Sequence, residues 1–356
     1  NPKKIRSEIL KNIKDKKNKK IFNIGNRRIA ITRAVQNAEH QEIILVAGKG
    51  HEDQQIYKNK IIKISDKKII NKIKVNILNN KKQNVLQNKL ILKDILGVFK
   101  NVEFTGFSID TRLIKKDNLF LAIKGKKNDG NQFINEALKK KAGCIITSSK
   151  IKKKNRKIIK VRDTISFLNH FAKLKRKKSF AKIIAITGSA GKTSLKNLIT
   201  NLLQNSGKTY SSPKSYNNHF GVPVSLSNLS SDNKFGVFEV GMSKGGEIKR
   251  LTKLIQPDIG IITNIGEAHI ENFKNIHEIA KAKSEIIENI KSGGTVVLNK
   301  DDKFFNYLYK KAKKYNLKII TFGLHKKSDV SLKKILKKEN RSKIFVNMNN
   351  QTINYL

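Results

Sequence analysis

Beyond residue 180 the chain alternates short apolar runs with longer amphipathic segments. Apolar stretches at Ile183–Thr187, Val237–Val240, Ile259–Thr263, Thr295–Leu298 and Lys318–Thr321 read as buried strands. Between them, Thr193–Leu203, Ile276–Ile290 and Lys303–Lys314 carry helical spacing. Strands that are apolar on both faces and alternate with helices predict a mostly parallel sheet covered on both sides. The last residues, Ile344–Leu356, show no closing helix, so the domain over 179–356 is expected to be incomplete at its C-terminus. A smaller α/β unit over 88–178 is expected from strand-like Leu119–Ile123 and Cys144–Ile146 around the helical Phe133–Lys140. Residues 1–75 read as a partial α/β domain. Its expected parts are helices at Ile5–Ile13 and Arg28–Ala38 and a strand Glu42–Ala47 running into the turn Gly48–Lys49–Gly50. The Asn- and Lys-rich stretch Ile69–Gln87 has no clear period, and a linker is expected over 76–87.

Composition changes this picture little. With 356 residues, 38% of them hydrophobic, the chain has enough material for two or three domains. No apolar run reaches the length of a membrane span. No signal-peptide pattern is present, although the sequence opens at Asn1 rather than Met. The one cysteine, Cys144, excludes an internal disulfide and suits a reducing, cytoplasmic setting. A net charge of +49 would draw the chain toward any polyanion. The lysines are spread along the whole length, however, and no basic stripe is interleaved with aromatic residues. Lys, Asn and Ile are enriched together, as codon bias alone would produce. No nucleic-acid or membrane partner is expected, and small anionic substrates such as nucleotides are.

The most informative motif is Thr187–Gly188–Ser189–Ala190–Gly191–Lys192–Thr193–Ser194. It follows an apolar strand and opens a helix, the context in which a glycine-rich turn cradles phosphate oxygens. Lys192 can reach the β- and γ-phosphates of ATP, and the Thr193 hydroxyl can hold Mg²⁺. The simpler alternative is an ordinary strand-to-helix turn. The motif departs from the general phosphate-loop pattern, because Ile186 stands where that pattern has its first glycine.

Later residues could complete a metal site. Glu239 ends an apolar strand, the position from which a carboxylate can face a phosphate loop, although a salt-bridged strand-end Glu would look the same. His269 follows the next strand in Thr263–Asn264–Ile265–Gly266–Glu267–Ala268–His269. A lone His there is more often structural. Lys283, in Ala280–Lys281–Ala282–Lys283–Ser284–Glu285–Ile286, is by itself one helix-face lysine among many.

The compact G-x-x-G-K-T form and the order glutamate, Asn/His, lysine resemble the Mur ligase family. That resemblance implies ATP and Mg²⁺ as cofactors, nucleotide contacts from Gly188–Ser194 and Asn264, and Mg²⁺ ligation by Thr193, Glu239 and His269. It also implies a carbamylated lysine at Lys283 rather than Lys281, serving the metal, and catalytic roles for Lys192, His269 and Lys283. Further segments narrow the likeness to the branch that joins D-alanyl-D-alanine to a UDP-N-acetylmuramoyl-tripeptide through an acyl phosphate. They are Tyr216–Pro223, Glu239–Ile248, Gly266–Ile286, Ser108–Arg112 and Asn118–Gly125. By that likeness the 88–178 unit holds the UDP-sugar, and Ser108, Asp110, Thr111, Arg112, Lys124, Gly125, Asn217 and Asn218 touch substrate.

The stretch Ala47–Gln55 is instead similar to the C-terminal domain of the branch that adds the third peptide residue. There Gly48 and Glu52 would contact the incoming amino acid, and 1–75 would be part of a Rossmann-like domain. A fusion of the two branches is the reading that follows, with the family's C-terminal ligase domain as a missing partner of the chain and incomplete turnover without it. A folylpolyglutamate synthase would share the loop and metal logic but lack the Ser108–Arg112 and Asn118–Gly125 segments. A nucleotidase or switch would need no amine acceptor.

Overall fold

The computed structural model describes residues 8, 24, 26–37, 44–46, 54–57, 60–63, 65–98, 100–125, 128–150, 155–338, 341–348 and 351–355. They fall into two units, divided between Lys82 and Gln83. In the first, helix α1 (Arg27–Asn37) is followed by strands β1 (Gln54–Tyr57) and β2 (Lys60–Lys63), paired antiparallel. The Arg27 guanidinium grips both carboxylate oxygens of Asp66. The expected helix Ile5–Ile13 (residue 8 excepted) and the turn Gly48–Gly50 lie outside the described residues, and residues 44–46 carry no strand.

Helix α2 (Asp66–Leu96) replaces the expected linker over 76–87. Asp66 opens it, favourably placed at the positive end of the helix dipole. No Gly or Pro interrupts its 31 residues, and polar Asn and Lys are tolerated on the solvated faces of a helix. Ile69 is buried near its start, and Asn88, Ile91 and Leu92 are buried in its C-terminal turns.

The second unit holds two sheets. Strands β3 (Gly106–Ser108), β4 (Asn118–Ala122), β5 (Cys144–Thr147) and β6 (Ile158–Lys160) run parallel in that order. Helix α3 (Ile134–Lys139) covers one face, through Ala137. Helix α4 (Thr164–Lys177) and the end of α2 cover the other, around Phe104, Phe107 and Phe171. Cys144 lies in the middle of this sheet, fully buried.

The larger sheet is built on β7 (Lys182–Thr187), with β9 (Phe235–Glu239) and β10 (Ile259–Ile262) as its parallel neighbours. β8 (Thr209–Ser211) extends it beyond β9. β11 (Thr295–Asn299) and β12 (Lys318–Gly323) extend it beyond β10. One face of β7, Ile184 and Ile186, packs under helix α5 (Lys192–Leu203). The other, Ile183 and Ala185, joins the main core beneath α6 (Gly221–Ser227), α7 (Glu247–Ile255), α8 (Ile276–Ser284) and α9 (Phe305–Lys314). The helix expected over Ile276–Ile290 tightens into a 3-10 turn after Ser284. The last residues form strands rather than a closing helix. β13 (Val330–Lys338) pairs with β12 in parallel, and β14 (Arg341–Met348) and β15 (Gln351–Tyr355) add an antiparallel meander. Among the described residues no helix is long and apolar enough to cross a membrane.

Two side chains join the sheets. Asn228, at the end of α6, accepts from the Phe107 amide (2.8 Å) and donates to the Phe107 carbonyl (3.1 Å), so it pairs with edge strand β3 as a further strand would. Arg176, buried near the end of α4, donates to the carbonyls of Ile255 (2.6 Å) and Gln256 (2.9 Å) at the end of α7. Its neighbour Lys175 is equally buried and donates to the amide oxygens of Asn84 (2.6 Å) and Asn88 (2.8 Å).

Two predictions follow from these contacts. Replacing Asn228 by Ala leaves both Phe107 backbone groups without this partner and should cost about 1–3 kcal/mol in denaturant unfolding. Burial pushes the Lys175 ammonium down to about 7, with Asp232 partly opposing, whereas an unfolded lysine titrates near ~10.4. Between those values the unfolded chain carries the proton and the native one does not, so this group makes stability rise with pH and contributes least at or below pH 7. The urea midpoint of wild type should therefore climb more steeply above pH 7 than that of Lys175→Met, and equal slopes would refute the assignment.

Candidate active site

The C-terminal ends of β7, β9 and β10 converge on one turn. Gly188, leaving β7, has φ +147°, and a Cβ there would sit 1.8 Å from the Thr263 hydroxyl oxygen. Glycine is therefore required for the strand end to pass β10. Gly191 sits in the left-handed region (φ +79°) and starts α5. Asn264, just after β10, holds the turn open. Its carboxamide oxygen accepts from the amides of Ser189 (3.1 Å) and Ala190 (2.9 Å). The Thr263 hydroxyl donates to the Ala190 carbonyl (2.6 Å). The Ser189 hydroxyl donates to the Gly266 carbonyl and accepts from the Gly266 amide. Lys192 folds back over the turn and donates to the Gly188 carbonyl (2.7 Å). Ser194 is exposed on the first turn of α5.

Glu239 ends β9 with 1% of its surface exposed. One carboxylate oxygen accepts from the Thr193 hydroxyl (2.8 Å) and lies 3.8 Å from the Lys196 ammonium. The other accepts from the Asn217 amide (2.8 Å). Its backbone amide donates to the Ser212 hydroxyl. Thr193 and Glu239, both expected at a metal, thus lie within hydrogen-bond distance of each other. Asn217, expected at the substrate, donates to Glu239 in this structure, and the Asn218 side chain caps the following turn through the amides of Phe220 and Gly221.

Lys283 is 2% exposed and Lys281 is exposed, so the two helix-face lysines are distinguished by burial. Burial, and then repulsion from the neighbouring Lys192, push the Lys283 ammonium down to about 8. Burial likewise lowers Lys192, with Glu239 opposing. Lys283 therefore faces the phosphate turn as an amine that is easily neutralised.

His269 is placed differently. It occupies a left-handed position (φ +66°) on an exposed turn, its imidazole half exposed and 3.8 Å from Glu271. The described contacts do not join it to Glu239 or Thr193. The segment leaves β10 along the surface, and the Ser189–Gly266 bonds anchor it three residues earlier. Among the described residues no cluster of three or more His, Cys, Asp or Glu side chains is gathered for a metal.

In the smaller sheet, the turn after β3 is held from within. Ser108 Oγ donates to the Asp110 carbonyl, Asp110 takes Arg112 in a bidentate pair (2.7–3.2 Å), and the Thr111 hydroxyl donates to Glu136. The Arg112 bond, above all, keeps the Asp110 carboxyl below its usual range. Lys124 and Gly125 form a second turn past the end of β4, where the Lys124 and Asp129 backbones pair as an isolated antiparallel bridge and the Gly125 amide donates to the Asn128 carbonyl. Gly48 and Glu52 lie outside the described residues.

The Mur ligase middle-domain family matches residues 186–355, and the Mur ligase family catalytic domain matches residues 103–176. The chain belongs to the Mur ligase family. Among similar proteins, the UDP-N-acetylmuramoyl-tripeptide–D-alanyl-D-alanine ligase of Buchnera aphidicola (subsp. Acyrthosiphon pisum) is 42% identical over 219 residues, 62% of this chain and 48% of its own length. The Escherichia coli enzyme of the same name is 32% identical over 214 residues, 59% of this chain and 47% of its own. MurF from Acinetobacter baumannii superposes with a TM-score of 0.65 at 26% identity, covering 76% of this chain and 59% of that one. MurF from Thermotoga maritima, solved in complex with ADP, gives 0.59 at 29% identity, covering 70% and 57%. This Mur ligase chain spans about half the length of the curated relatives it matches.

Lys196 was not legible in the motif, although it stands four residues after Lys192 and so on the same helix face. Ser212 and Thr263 gave no sequence signal. The two loop glycines make separable predictions. Gly188→Ala should weaken binding of a fluorescent ATP analogue by roughly a hundred-fold or more, about 2.7 kcal/mol, because the new methyl collides with Thr263. Gly191→Ala, which meets open space, should cost about 1 kcal/mol from its positive φ alone. Equal losses in titrations of the two variants would contradict this account of the turn.

Proposed function

We propose that this chain carries the phosphate-binding and muramoyl-nucleotide-binding parts of an ATP-dependent ligase that joins D-alanyl-D-alanine to UDP-N-acetylmuramoyl-tripeptide. The observation that carries the reading is the bond between Thr193, at the start of the phosphate-turn helix, and the buried Glu239, with Lys192 and Lys283 facing the same turn. A nucleotide triphosphate on this turn would meet one flexible cation, Lys192, able to follow negative charge as it builds on the transferred phosphoryl group.

The donor set of Thr193 hydroxyl and Glu239 carboxylate fits Mg²⁺, a hard cation that takes oxygen ligands and keeps several waters. Such an ion supplies charge neutralisation to the phosphates. His269 is proposed as a further ligand on the family resemblance alone. A buried amine that loses its proton near pH 8 suits reaction with CO₂, and we assign the carbamylated lysine to Lys283 on that ground.

In the proposed reaction the tripeptide carboxylate attacks the γ-phosphorus and ADP leaves. The amine of D-alanyl-D-alanine then attacks the acyl phosphate, expelling phosphate and losing a proton. Arg112 and Lys124, both exposed cations at strand ends of the smaller sheet, are assigned to the UDP diphosphate, with Ser108, Asp110, Thr111 and Gly125 shaping their turns. Substrates of this kind belong to the cytoplasm. The dipeptide side is assigned to no residue here, and the domain that supplies it is proposed to lie in the part of the relatives' length that this chain does not match. The motif Ala47–Gln55 alone supports reading 1–75 as a piece of the branch that adds the third residue, with Gly48 and Glu52 as its contacts.

The test is ADP release by the whole protein with ATP, Mg²⁺, UDP-N-acetylmuramoyl-tripeptide and D-alanyl-D-alanine, each acceptor alone and both together. Sustained release is expected only with both, accompanied by the UDP-muramoyl-pentapeptide. Release that ignores the muramoyl nucleotide would identify a nucleotidase, and glutamylation of a folate in its place would identify the other ligase class.

A further inference from the structure

Lys196 is the one charged residue of α5 that is buried, with 1% of its surface exposed. It lies one turn beyond Lys192, and its ammonium reaches two groups. One is the Glu239 carboxylate, 3.8 Å away. The other is the backbone carbonyl of Lys214, to which it donates a hydrogen bond. Lys214 has φ +46°, a conformation that costs a non-glycine residue energy and is kept where surrounding contacts impose it.

Lys214 belongs to the segment 212–218, each part of which is tied to something different. Ser212 accepts from the Glu239 amide, and Asn217 donates to the Glu239 carboxylate. The Asn217 carbonyl accepts from the Gly241 amide beyond β9. Tyr216 packs on the core of the smaller sheet, and its backbone lies against Gly221, where an added Cβ would come within 2.6 Å of the tyrosine Cα. Lys214 and Tyr216 also sit within electrostatic reach of Asp110, and Tyr216 of Arg112. The segment thus runs from the carboxylate beside the phosphate turn to the Asp110–Arg112 turn of the other sheet.

We propose that Lys196 is a positioning residue that locks the strap 212–218 to the phosphate-turn helix, so that nucleotide at the turn organises the Asp110–Arg112 end of the site. The proposal rests on the phosphate-binding reading of Gly188–Ser194 and adds to it a route between the two substrate ends. The route is physical: one ammonium ties α5, the Glu239 carboxylate and the Lys214 carbonyl. Lys196 touches no reacting atom. A nucleotide that pulls Thr193 or Glu239 changes what the ammonium can reach, and the strap carries that change to Tyr216 and Lys214.

The experiment uses the 356-residue chain as wild type, Lys196→Met, Lys196→Arg and Asn217→Ala. Amide hydrogen exchange at 188–194, 212–218 and 108–112 is followed with and without the Mg²⁺ complex of a non-hydrolysable ATP analogue, and the analogue's affinity is titrated. In wild type, nucleotide should slow exchange in all three segments. In Lys196→Met, protection should persist at 188–194 and vanish at 108–112, with affinity lowered by about ten-fold, a coupling of ordinary size. Lys196→Arg, which keeps the charge and donors, should restore part of the spread. Asn217→Ala cuts the strap from the same carboxylate at a half-exposed position, and should reproduce the loss at 108–112 should the buried substitution prevent folding. Protection at 108–112 that is unchanged in both Lys196→Met and Asn217→Ala, or absent in wild type with nucleotide bound, overturns the proposal. Failure of wild type to bind the analogue at all would overturn the phosphate-turn reading beneath it.

Discussion

A carboxylate with 1% of its surface exposed is tolerated only where its charge is met on every side, and Glu239 meets that demand. The Thr193 hydroxyl, the Asn217 amide and the Lys196 ammonium come from two different segments and close around its two oxygens. Each partner sits where it does for a local reason. Thr193 and Lys196 share a face of α5, Asn217 is carried on a segment strapped to the end of β9, and Glu239 is the last residue of a strand lying beside β7. The order of strands does the rest. With β7 between β9 and β10, the residues just past both neighbours reach the same glycine turn, Glu239 from one side and Thr263 and Asn264 from the other.

Much of this was legible before any coordinates. Apolar runs bounded by helical segments located β7, β9, β10, β11 and β12 to within two residues at either end, because a strand buried on both faces leaves a dense hydrophobic signal. In the fold Thr193 and Glu239, both expected at a metal, meet in a hydrogen bond, and of the two helix-face lysines Lys283 is the buried one. Short edge strands such as β3, β6 and β8 were missed, since three residues carry no period.

One difference from the sequence reading has a chemical origin. The linker expected at 76–87 is helical because lysine and asparagine look like loop formers in a sequence this rich in both, yet nothing in Asp66–Leu96 breaks a helix. Asn217 and Asn218 are expected at the substrate from the family likeness of Tyr216–Pro223 alone. In the fold, one of the two amides is spent on a buried carboxylate and the other carboxamide on a turn. His269 stands half exposed beside Glu271. Lys196 was invisible for the simplest reason: among so many lysines, only packing reveals which one is inside.

The solitary cysteine has a practical consequence. Cys144 opens the interior strand β5, is fully buried, and its thiol is pushed by burial up to about 12. The thiolate, which is the nucleophile, is therefore scarce while the smaller sheet is closed. Modification at that sulfur must wait for the core that α4 and the end of α2 close over this face of the sheet to open. Labelling kinetics with a thiol-specific dye thus amount to a built-in clock for the breathing of the smaller sheet, one that needs no engineered tag and that no second sulfhydryl in the chain can confuse.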